Sequence, residues 1–345
     1  MRLRRCHAGE RRHPVAARTL ACHAGEGRHP RAAKTLASGL RRNGGVLLAL
    51  WLLGPPAAQA HEAAAAPFAW SFEPWVLACL GISALLYVLG LRRLWSHAGA
   101  ARGVGAWPAA AFAAGWLTLV AALVSPLDAL GARLFSAHMV QHELLMVVAA
   151  PLLVLGRPLV AWTWALPMAA RRGVGAWTRH PLWSRPWRAI TAPLGAWLLH
   201  ALALWVWHVP ALFDAALADA AVHALQHASF LAGALVFWWS VLGRTAPRAC
   251  GAAVASLFTT LLHTAALGAL LSLAAAPWYA AYADGAAGFG LTALEDQQLG
   301  GLVMWMPAGF GYLVAALVLV ARLLADKAGA AAQAGAASAP RYGSL

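Results

Sequence analysis

The sequence predicts an all-α, polytopic membrane protein: a bundle of seven transmembrane helices with its N-terminus outside and its C-terminus inside. Of the 345 residues, 61% are hydrophobic and 11% are charged, which is much less charge than a soluble domain carries. Seven apolar stretches are each long enough to cross a bilayer core of about 30 Å. They cover residues 75–91, 107–125, 134–155, 189–208, 221–242, 251–274 and 300–323.

The connections between these stretches alternate in charge, and this alternation predicts the orientation. The connections after the first, third, fifth and seventh stretches hold fourteen Lys and Arg residues. The opposite side holds eight Asp and Glu residues, and Arg133 is its only basic residue. Because basic loops stay in the cytoplasm, the Arg-rich side is predicted to face inward.

Residues before the first stretch divide into two segments. Residues 6–21 and 22–37 form a 16-residue repeat, so 1–40 is predicted to be a disordered basic extension or the product of a start codon assigned too early. Residues 41–60 resemble a signal peptide, with Arg41 and Arg42, the apolar run Val46–Leu53 and a small-residue cleavage pattern at 58–60. A seven-helix membrane domain over 61–325 and a disordered cytoplasmic tail over 326–345 complete the predicted organisation.

The net charge of +14 does not indicate a nucleic-acid partner. Residues 1–60 alone hold 11 basic and 2 acidic residues, so most of the excess lies outside the membrane domain. Four cysteines occur without a C-x-x-C spacing, which argues against a disulfide framework or a thiolate metal site. The lipid bilayer is the partner that the composition does predict.

Seven histidines lie within or at the rim of the apolar stretches, and the threading puts all of them in the outer half of the bilayer. Imidazole is costly in lipid unless it faces a bundle interior with a partner, so intramembrane histidines are functional candidates. Two pairs have i, i+4 spacing, which places both rings of a pair on one helical face. The seven are His138, His142, His200, His208, His223, His227 and His263.

Both pairs read H-x-x-Q-H, and their glutamines, Gln141 and Gln226, are expected to orient ligand rings by hydrogen bonding. Glu143 follows the first pair and needs a proton, a metal, an imidazolium or Arg133 as a partner. Asp296 precedes the seventh stretch, where it either caps a helix or contacts a metal.

Methionines add a preference for Cu(I), because thioether and imidazole together suit that ion. Met304 and Met306 begin the seventh stretch and are candidate ligands beside the histidines. The competing interpretation of each residue is structural: a lone intramembrane histidine often bonds another helix, and methionine often only packs. This interpretation has most force for His200, His263 and the two methionines.

Five segments resemble the seven-span CtaG-type family of cytochrome c oxidase assembly factors. They are SFEPWVL (71–77), SPLD (125–128), HMVQHELLMVVAAPLLVLGRP (138–158), HALQHASF (223–230) and DQQLGGLVMW (296–305). The resemblance covers about residues 70–325. It implies that His138, His142, His223 and His227 are copper ligands, and it matches Asp296, Gln297, Gln298 and Met304 to the acidic-Gln-Gln segment and the Met of the family's last span.

The leading functional prediction is therefore a non-enzymatic assembly factor of the bacterial inner membrane. It would take copper, as Cu(I), from a periplasmic donor and deliver it to the catalytic subunit of cytochrome c oxidase. Two alternatives remain open on the sequence. One is a haem-binding membrane cytochrome or haem-processing enzyme, because paired intramembrane histidines also ligate haem. The other is a metal or proton transporter, in which the histidines and Glu143 would form a relay.

Overall fold

The computed structural model describes residues 68–243 and 247–338, with side chains for 68–243 and 250–329. The predicted extension (1–40), the signal-like segment (41–60) and residues 339–345 of the predicted tail lie outside the described residues. The part of the chain that is described contains helices and no strand, as an all-α fold requires.

Thirteen α-helices can be traced in the described ranges. In chain order they are α1 (Pro74–Ala98), α2 (Ala106–Leu123), α3 (Pro126–Gly131), α4 (Phe135–Glu143), α5 (Ala150–Leu155), α6 (Pro158–Ala165), α7 (Met168–Arg179), α8 (Pro181–Ile190), α9 (Pro193–Trp207), α10 (Pro210–Ala218), α11 (Ala220–Leu242), α12 (Pro247–Ser272) and α13 (Ala293–Ser338).

Six described helices are long and apolar enough to cross a membrane, which indicates a multi-pass membrane protein. They are Pro74–Ala98, Ala106–Leu123, Phe135–Leu155, Ala220–Leu242, Cys250–Ser272 and Ala293–Gly329. The predicted fourth span, 189–208, differs. It is divided between α8 and α9, which meet at a bend of 70°, so the count is six or, with this pair as one span, seven.

The third spanning helix, Phe135–Leu155, is the most buried of the six and lies at the centre of the bundle. It packs against α2, α11 and α13. A π-helical turn, Leu144–Ala149, joins α4 to α5 directly before Pro151. Proline has no N–H to donate to the carbonyl one turn earlier, and its ring crowds that carbonyl. The wider π-turn before Pro151 accommodates the proline within the spanning helix. The two histidines of α4 lie just ahead of this turn.

Close helix packing depends on small residues at two crossings. A Cβ atom on Gly90 of α1 would collide with the Ala161 carbonyl of α6, and one on Gly268 of α12 would lie 2.7 Å from the Gly301 carbonyl of α13. Spanning helices associate through such close contacts because lipid offers no hydrophobic force to drive them together. Glycine thus allows the close approach of the two helices in both the α1–α6 and the α12–α13 pair.

Hydrogen bonds from backbone amides connect neighbouring segments at one end of the bundle, which we call the acidic end. It contains the start of α1, α4, α11 and α13 and the end of α2, α9 and α12. The Ser71 amide donates to the Val124 carbonyl at 2.9 Å, and the Trp278 amide donates to Gln297 Oε1 at 2.5 Å. The antiparallel order predicted from charge therefore brings these helix ends together.

The opposite end, which we call the arginine end, carries the amphipathic helices α7 and α8. Arg171 stacks over the Trp164 ring at 3.9 Å, and the Arg93 guanidinium donates to the Ala165 carbonyl. At the arginine end, α13 continues to Ser338 and so extends into the segment predicted to be a disordered tail. Residues 325–338 are rich in alanine, which has the highest helix propensity.

Candidate metal centre

Two helices of the acidic end, α4 and α11, turn their histidine pairs toward each other. The ring centroids lie 4.3 Å apart for His138 and His142, and 4.2 Å apart for His223 and His227. Between the helices, His138 is 5.4 Å from His223 and 5.7 Å from His227, and His142 is 5.2 Å from His227. The i, i+4 spacing thus assembles one group of four rings, as predicted from the sequence.

Three of these rings converge closely enough to hold one ion. Ligand nitrogens of His138, His223 and His227 lie within 4.8 Å of one another, and we call these residues the trihistidine cluster. His138 and His227 are buried, and His223 is half-buried. Three nitrogens at such separations can bind a single metal ion after small rotamer adjustments, because metal–imidazole bonds are about 2 Å long.

Hydrogen bonding leaves the cluster's ring nitrogens free to coordinate. His138 Nδ1 donates to the Gly131 carbonyl at 3.3 Å, which leaves Nε2 with its lone pair available. The Nε2 atoms of His138, His223 and His227 are all buried and have no hydrogen-bond partner within the described part of the chain. Buried polar atoms without partners are costly. A cation at this point would satisfy all three, so the residues present fit a metal ion.

Two further histidines extend the line of donors into the bundle. The His142 ring is 6.4 Å from that of His208, at the end of α9, and packs on Phe230 at 4.5 Å. His208 Nδ1 donates to the Leu204 carbonyl at 2.7 Å. Its Nε2 and both nitrogens of His142 are buried without a partner among the described residues. His142 and His208 therefore offer the same free donor as the trihistidine cluster.

An aromatic layer covers the cluster at the acidic end. Phe213 of α10 is 5.1 Å from the His138 ring and 4.3 Å from Tyr279 in the loop before α13. The Tyr279 hydroxyl donates to the His208 carbonyl at 3.0 Å, and the Tyr282 hydroxyl donates to the Gly131 carbonyl at 2.9 Å. Burial raises the pKa of both hydroxyls, so they stay protonated and remain donors.

Asp296 supports the cluster from outside by capping the helix that carries it. It begins α13, yet its carboxylate accepts from the backbone amides of Phe135, at 2.6 Å, and Ser136, at 3.1 Å, in the first turn of α4. It also accepts from the Ser136 hydroxyl. Leu134, the N-cap residue of α4, has no side chain able to do this. The sequence was compatible with either a helix cap or a metal contact at Asp296. The structure shows a cap, and the helix that it caps is α4 rather than its own helix, α13.

The glutamines of the two H-x-x-Q-H segments differ in role. Gln141 Nε2 donates to the Ala122 carbonyl and to Asp128 Oδ1, both at 2.8 Å, so it joins α4 to α2 and α3 rather than orienting a ring. Asp128 in turn interacts electrostatically with His223. Gln226 is fully buried, and neither atom of its amide has a hydrogen-bond partner in the part of the chain that is described, so its predicted ring-orienting role stays a prediction.

One known protein family matches most of this chain. The model of the cytochrome c oxidase caa3 assembly factor family matches residues 85–326, which include every histidine described above. The chain belongs to this family. The predicted resemblance to this family is thereby confirmed.

Three curated relatives are similar to this chain in sequence. Uncharacterized proteins of Mycobacterium bovis and Mycobacterium tuberculosis are each 27% identical over 247 residues, which are 68% of this chain and 36% of theirs. An uncharacterized protein of Mycobacterium leprae is 25% identical over 275 residues, or 73% and 39%. The chain thus spans between one third and two fifths of the length of these relatives. No solved structure matches it.

A second buried polar group lies apart from the donors described so far, and it contains three residues predicted for the metal site. His200 Nε2 lies 3.3 Å from the Tyr312 hydroxyl, and the His200 ring stacks on Phe237 at 4.9 Å. His263 and Glu143 lie within electrostatic range of His200 and Tyr312, respectively, but both ring nitrogens of His263 and Glu143 Oε2 have no hydrogen-bond partner among the described residues. We call His200, His263, Glu143 and Tyr312 the inner polar group. His200 and His263 supply two imidazoles where the trihistidine cluster supplies three.

The two predicted methionine ligands lie in different surroundings. Met304 is 2% exposed and belongs to the apolar core, whereas Met306 is 64% exposed. On a helix, residues two positions apart point to opposite sides, so they do not share one site. Met306 faces away from the interior because Met304 faces into it.

Sequence reasoning missed four residues around the cluster: Asp128, Phe213, Tyr279 and Tyr282. Asp128 was counted only as an outer charge, although the SPLD segment that contains it carries part of the family resemblance. Phe213 reaches the site from α10, whereas Tyr279 and Tyr282 come from the start and the end of a short 3₁₀ segment, Ala280–Tyr282, in a loop without periodicity. These residues are distant from the histidines in sequence, so their contacts could not be predicted from local spacing.

Proposed function

We propose that this chain is a copper-handling factor for the assembly of haem–copper cytochrome c oxidase. It would bind Cu(I) at the trihistidine cluster and pass the ion to the catalytic subunit of the oxidase, without catalysing a reaction. The observation that carries the proposal is the convergence of three ligand nitrogens from His138, His223 and His227 within 4.8 Å. Family membership supports the pathway.

The donor set suits a transferable ion. Neutral imidazole binds copper and zinc alike, so three histidines do not separate the two metals by themselves. Copper is favoured because the family serves an enzyme that needs copper, and because Cu(I) accepts low coordination numbers. Three nitrogens drawn from two helices leave a coordination position open, through which an incoming ligand can approach. His142 and His208 place further donors beside that position.

Orientation supports supply from the periplasm. The acidic end carries the residues that the charge pattern assigns to the outer side, and the trihistidine cluster lies at this end. A periplasmic donor could then reach the cluster once the layer of Phe213, Tyr279 and Tyr282 moves. The loop between α12 and α13, which holds both tyrosines, would act as a lid in the inner membrane of a bacterium.

The packing of the rings favours a small ion over haem. The four rings of α4 and α11 lie 4.2–5.7 Å from their neighbours, which is contact distance. A porphyrin plane does not fit between imidazoles in contact. A proton or metal transporter would need a chain of polar donors that continues to the arginine end. Among the described residues, the buried donors that we identify stop at the inner polar group.

The test is the copper content of the purified protein after loading with Cu(I) under reducing conditions and desalting. We expect about one tightly held copper per chain in the wild type, and little in the double variant His138→Ala/His227→Ala. A visible spectrum recorded on the same sample checks the haem alternative. A Soret band in protein that holds no copper would contradict the proposal, as would full copper content in the double variant.

A further inference from the structure

A groove of about 480 Å³ opens beside the trihistidine cluster, between α1 and α11. Its walls are mainly apolar, and its polar groups gather near the acidic end, where Glu73 and Asp128 stand at the rim. His223 and His227 line it from α11. Two rings of the cluster therefore border a groove that opens sideways, in the plane of the membrane.

The length of the groove matches a spanning helix. On α11 its lining runs from Ala220 to Trp239. Nineteen helical steps at 1.5 Å cover about 28 Å, which is close to the bilayer core thickness of about 30 Å. A single lipid tail reaches only through one leaflet, or about half of that distance. The groove is thus as long as a transmembrane helix.

The α11 wall near the cluster is built for close helix contact. Ala220, Ala224 and Ala228 recur every four residues and line the groove on one face of α11. Small residues at this spacing let two helix backbones approach each other in a membrane. Across the groove, α1 contributes Cys79 and Ser83, which are also small.

Unpartnered imidazole nitrogens on the same wall point to a specific occupant. His223 and His227 alternate with the alanines along α11, and the Nε2 atoms of both are buried without a partner in the described ranges. His227 is 8% exposed. A helix lying on the alanine face would therefore bring its own side chains against these two histidines. A partner that only packed on this face would not explain why metal donors line it.

We propose that a transmembrane helix of the copper-receiving oxidase subunit docks in this groove. The inference rests on the proposed function and specifies where the acceptor binds. The docking helix would be apolar, with small residues opposite Ala224 and Ala228 and nitrogen or sulfur donors opposite His223 and His227. As its donors bind Cu(I), the bonds from the ion to the cluster break. The ion keeps its charge, and neutral imidazoles release no proton.

Site-specific photo-crosslinking in cells that assemble the oxidase tests the docking directly. A benzophenone amino acid replaces Leu231 or Trp239 in the full chain, because both line the groove on α11 and are already large; Leu225, which is 59% exposed on another face of α11, is the control position. We expect crosslinks to the catalytic subunit from both groove positions and at least tenfold fewer from Leu225. Crosslinks to lipid alone, or equal yields from all three positions, would overturn the proposal.

A pair of matched substitutions provides a second readout. Ala224→Leu fills the groove, while Ala221→Leu makes the same change at an exposed position that does not line it. We expect both variants to retain bound copper at the wild-type level, and the copper content of the oxidase to fall several-fold with Ala224→Leu alone. Normal oxidase copper with Ala224→Leu would contradict the docking site.

The two proposals fail separately. If the wild-type protein held no copper while groove crosslinks to the oxidase still formed, the metal function would be wrong and the docking site would stand. If copper were held at the trihistidine cluster and groove positions gave no crosslink, the docking site alone would be wrong.

Discussion

Two groups of buried histidines in the same bundle have different surroundings. At the trihistidine cluster, rings from α4 and α11 converge, and the Nε2 atoms of His138, His223 and His227 have no partner. In the inner polar group, His200 stacks on Phe237 and lies at 3.3 Å from the Tyr312 hydroxyl. Buried ring nitrogens without a partner occur in both groups, since both nitrogens of His263 are also unpartnered within the described ranges. What distinguishes the cluster is that three donors converge on one point.

The environments around the two groups reinforce this difference. The cluster is supported by residues that act from other helices: Asp296 caps α4, and Tyr282 shares the Gly131 carbonyl with His138. Such outer contacts fix ring orientation at metal sites. The inner polar group is surrounded by Phe237, Trp238 and Trp197, which pack on its rings. We infer that the inner group mainly holds helices together.

The largest expected effect comes from removing two histidines from one group or the other. His138→Ala/His227→Ala should lower copper affinity by more than the 10–100-fold that loss of an outer contact causes, because two ligands disappear. His200→Ala/His263→Ala should leave affinity near wild type while lowering thermal stability. Competition against a Cu(I) chelator measures both. Equal losses of affinity in the two double variants would remove the distinction between the groups.

Asp296→Ala should have the next largest effect. It removes three hydrogen bonds from the start of α4, and loss of a helix cap alone costs about 1 kcal/mol. Because these cap bonds come from the buried amides of Phe135 and Ser136, which would be left without partners, the cost should lie within roughly 1–3 kcal/mol. We expect a lower unfolding temperature in detergent and weaker copper binding. Glu295→Ala is the control, since Glu295 is exposed and bonds only within its own helix start at Thr292. Equal copper binding in the two variants would contradict the supporting role.

Tyr282→Phe should have a smaller and more selective effect. It removes one hydrogen bond to the Gly131 carbonyl, worth about 1 kcal/mol, and loosens the aromatic layer above the cluster. Tyr87→Phe is a matched control, because Tyr87 also donates to a backbone carbonyl, that of Gly156, far from the histidines. We expect similar losses of thermal stability and faster copper release only in Tyr282→Phe. Identical release rates would mean that the layer does not retain the ion.

Glu143→Gln should have the smallest effect on copper. Glu143 is adjacent in sequence to His142, but its carboxylate belongs to the inner polar group through Tyr312. Gln keeps the size of the side chain, so copper affinity should stay within about threefold of wild type. A loss as large as that of a histidine ligand would show that the boundary between the two groups is drawn in the wrong place.

Much of the architecture was predictable from the sequence because membranes impose simple rules on chains. Apolar length and charge alternation located the six long spanning helices, and the i, i+4 spacing paired the histidines on each of α4 and α11. The bend of 70° between α8 and α9 was not predictable. Pro181, Pro186 and Pro193 are compatible with a helix start, a kink or a loop, and packing decides among them.

Side-chain partners were harder to predict than helices. The sequence placed His200 and His263 at the depth of the other donors, but depth along an axis does not reveal which face of the bundle a ring occupies. Gln141 was expected to bond a histidine ring and instead donates to the Ala122 carbonyl and to Asp128, which lie on other helices. Contacts that depend on how one helix is rotated against another can be identified only from the three-dimensional structure.

The central claim is that three imidazoles of the trihistidine cluster bind the copper. X-ray absorption at the copper edge of the Cu(I)-loaded protein tests it most directly, because the spectrum reports the ligand atoms around the ion. We expect three nitrogen ligands with the multiple scattering of imidazole rings and no sulfur, and loss of this signal in His138→Ala/His227→Ala. A sulfur ligand, or an unchanged spectrum in that variant, would contradict the account.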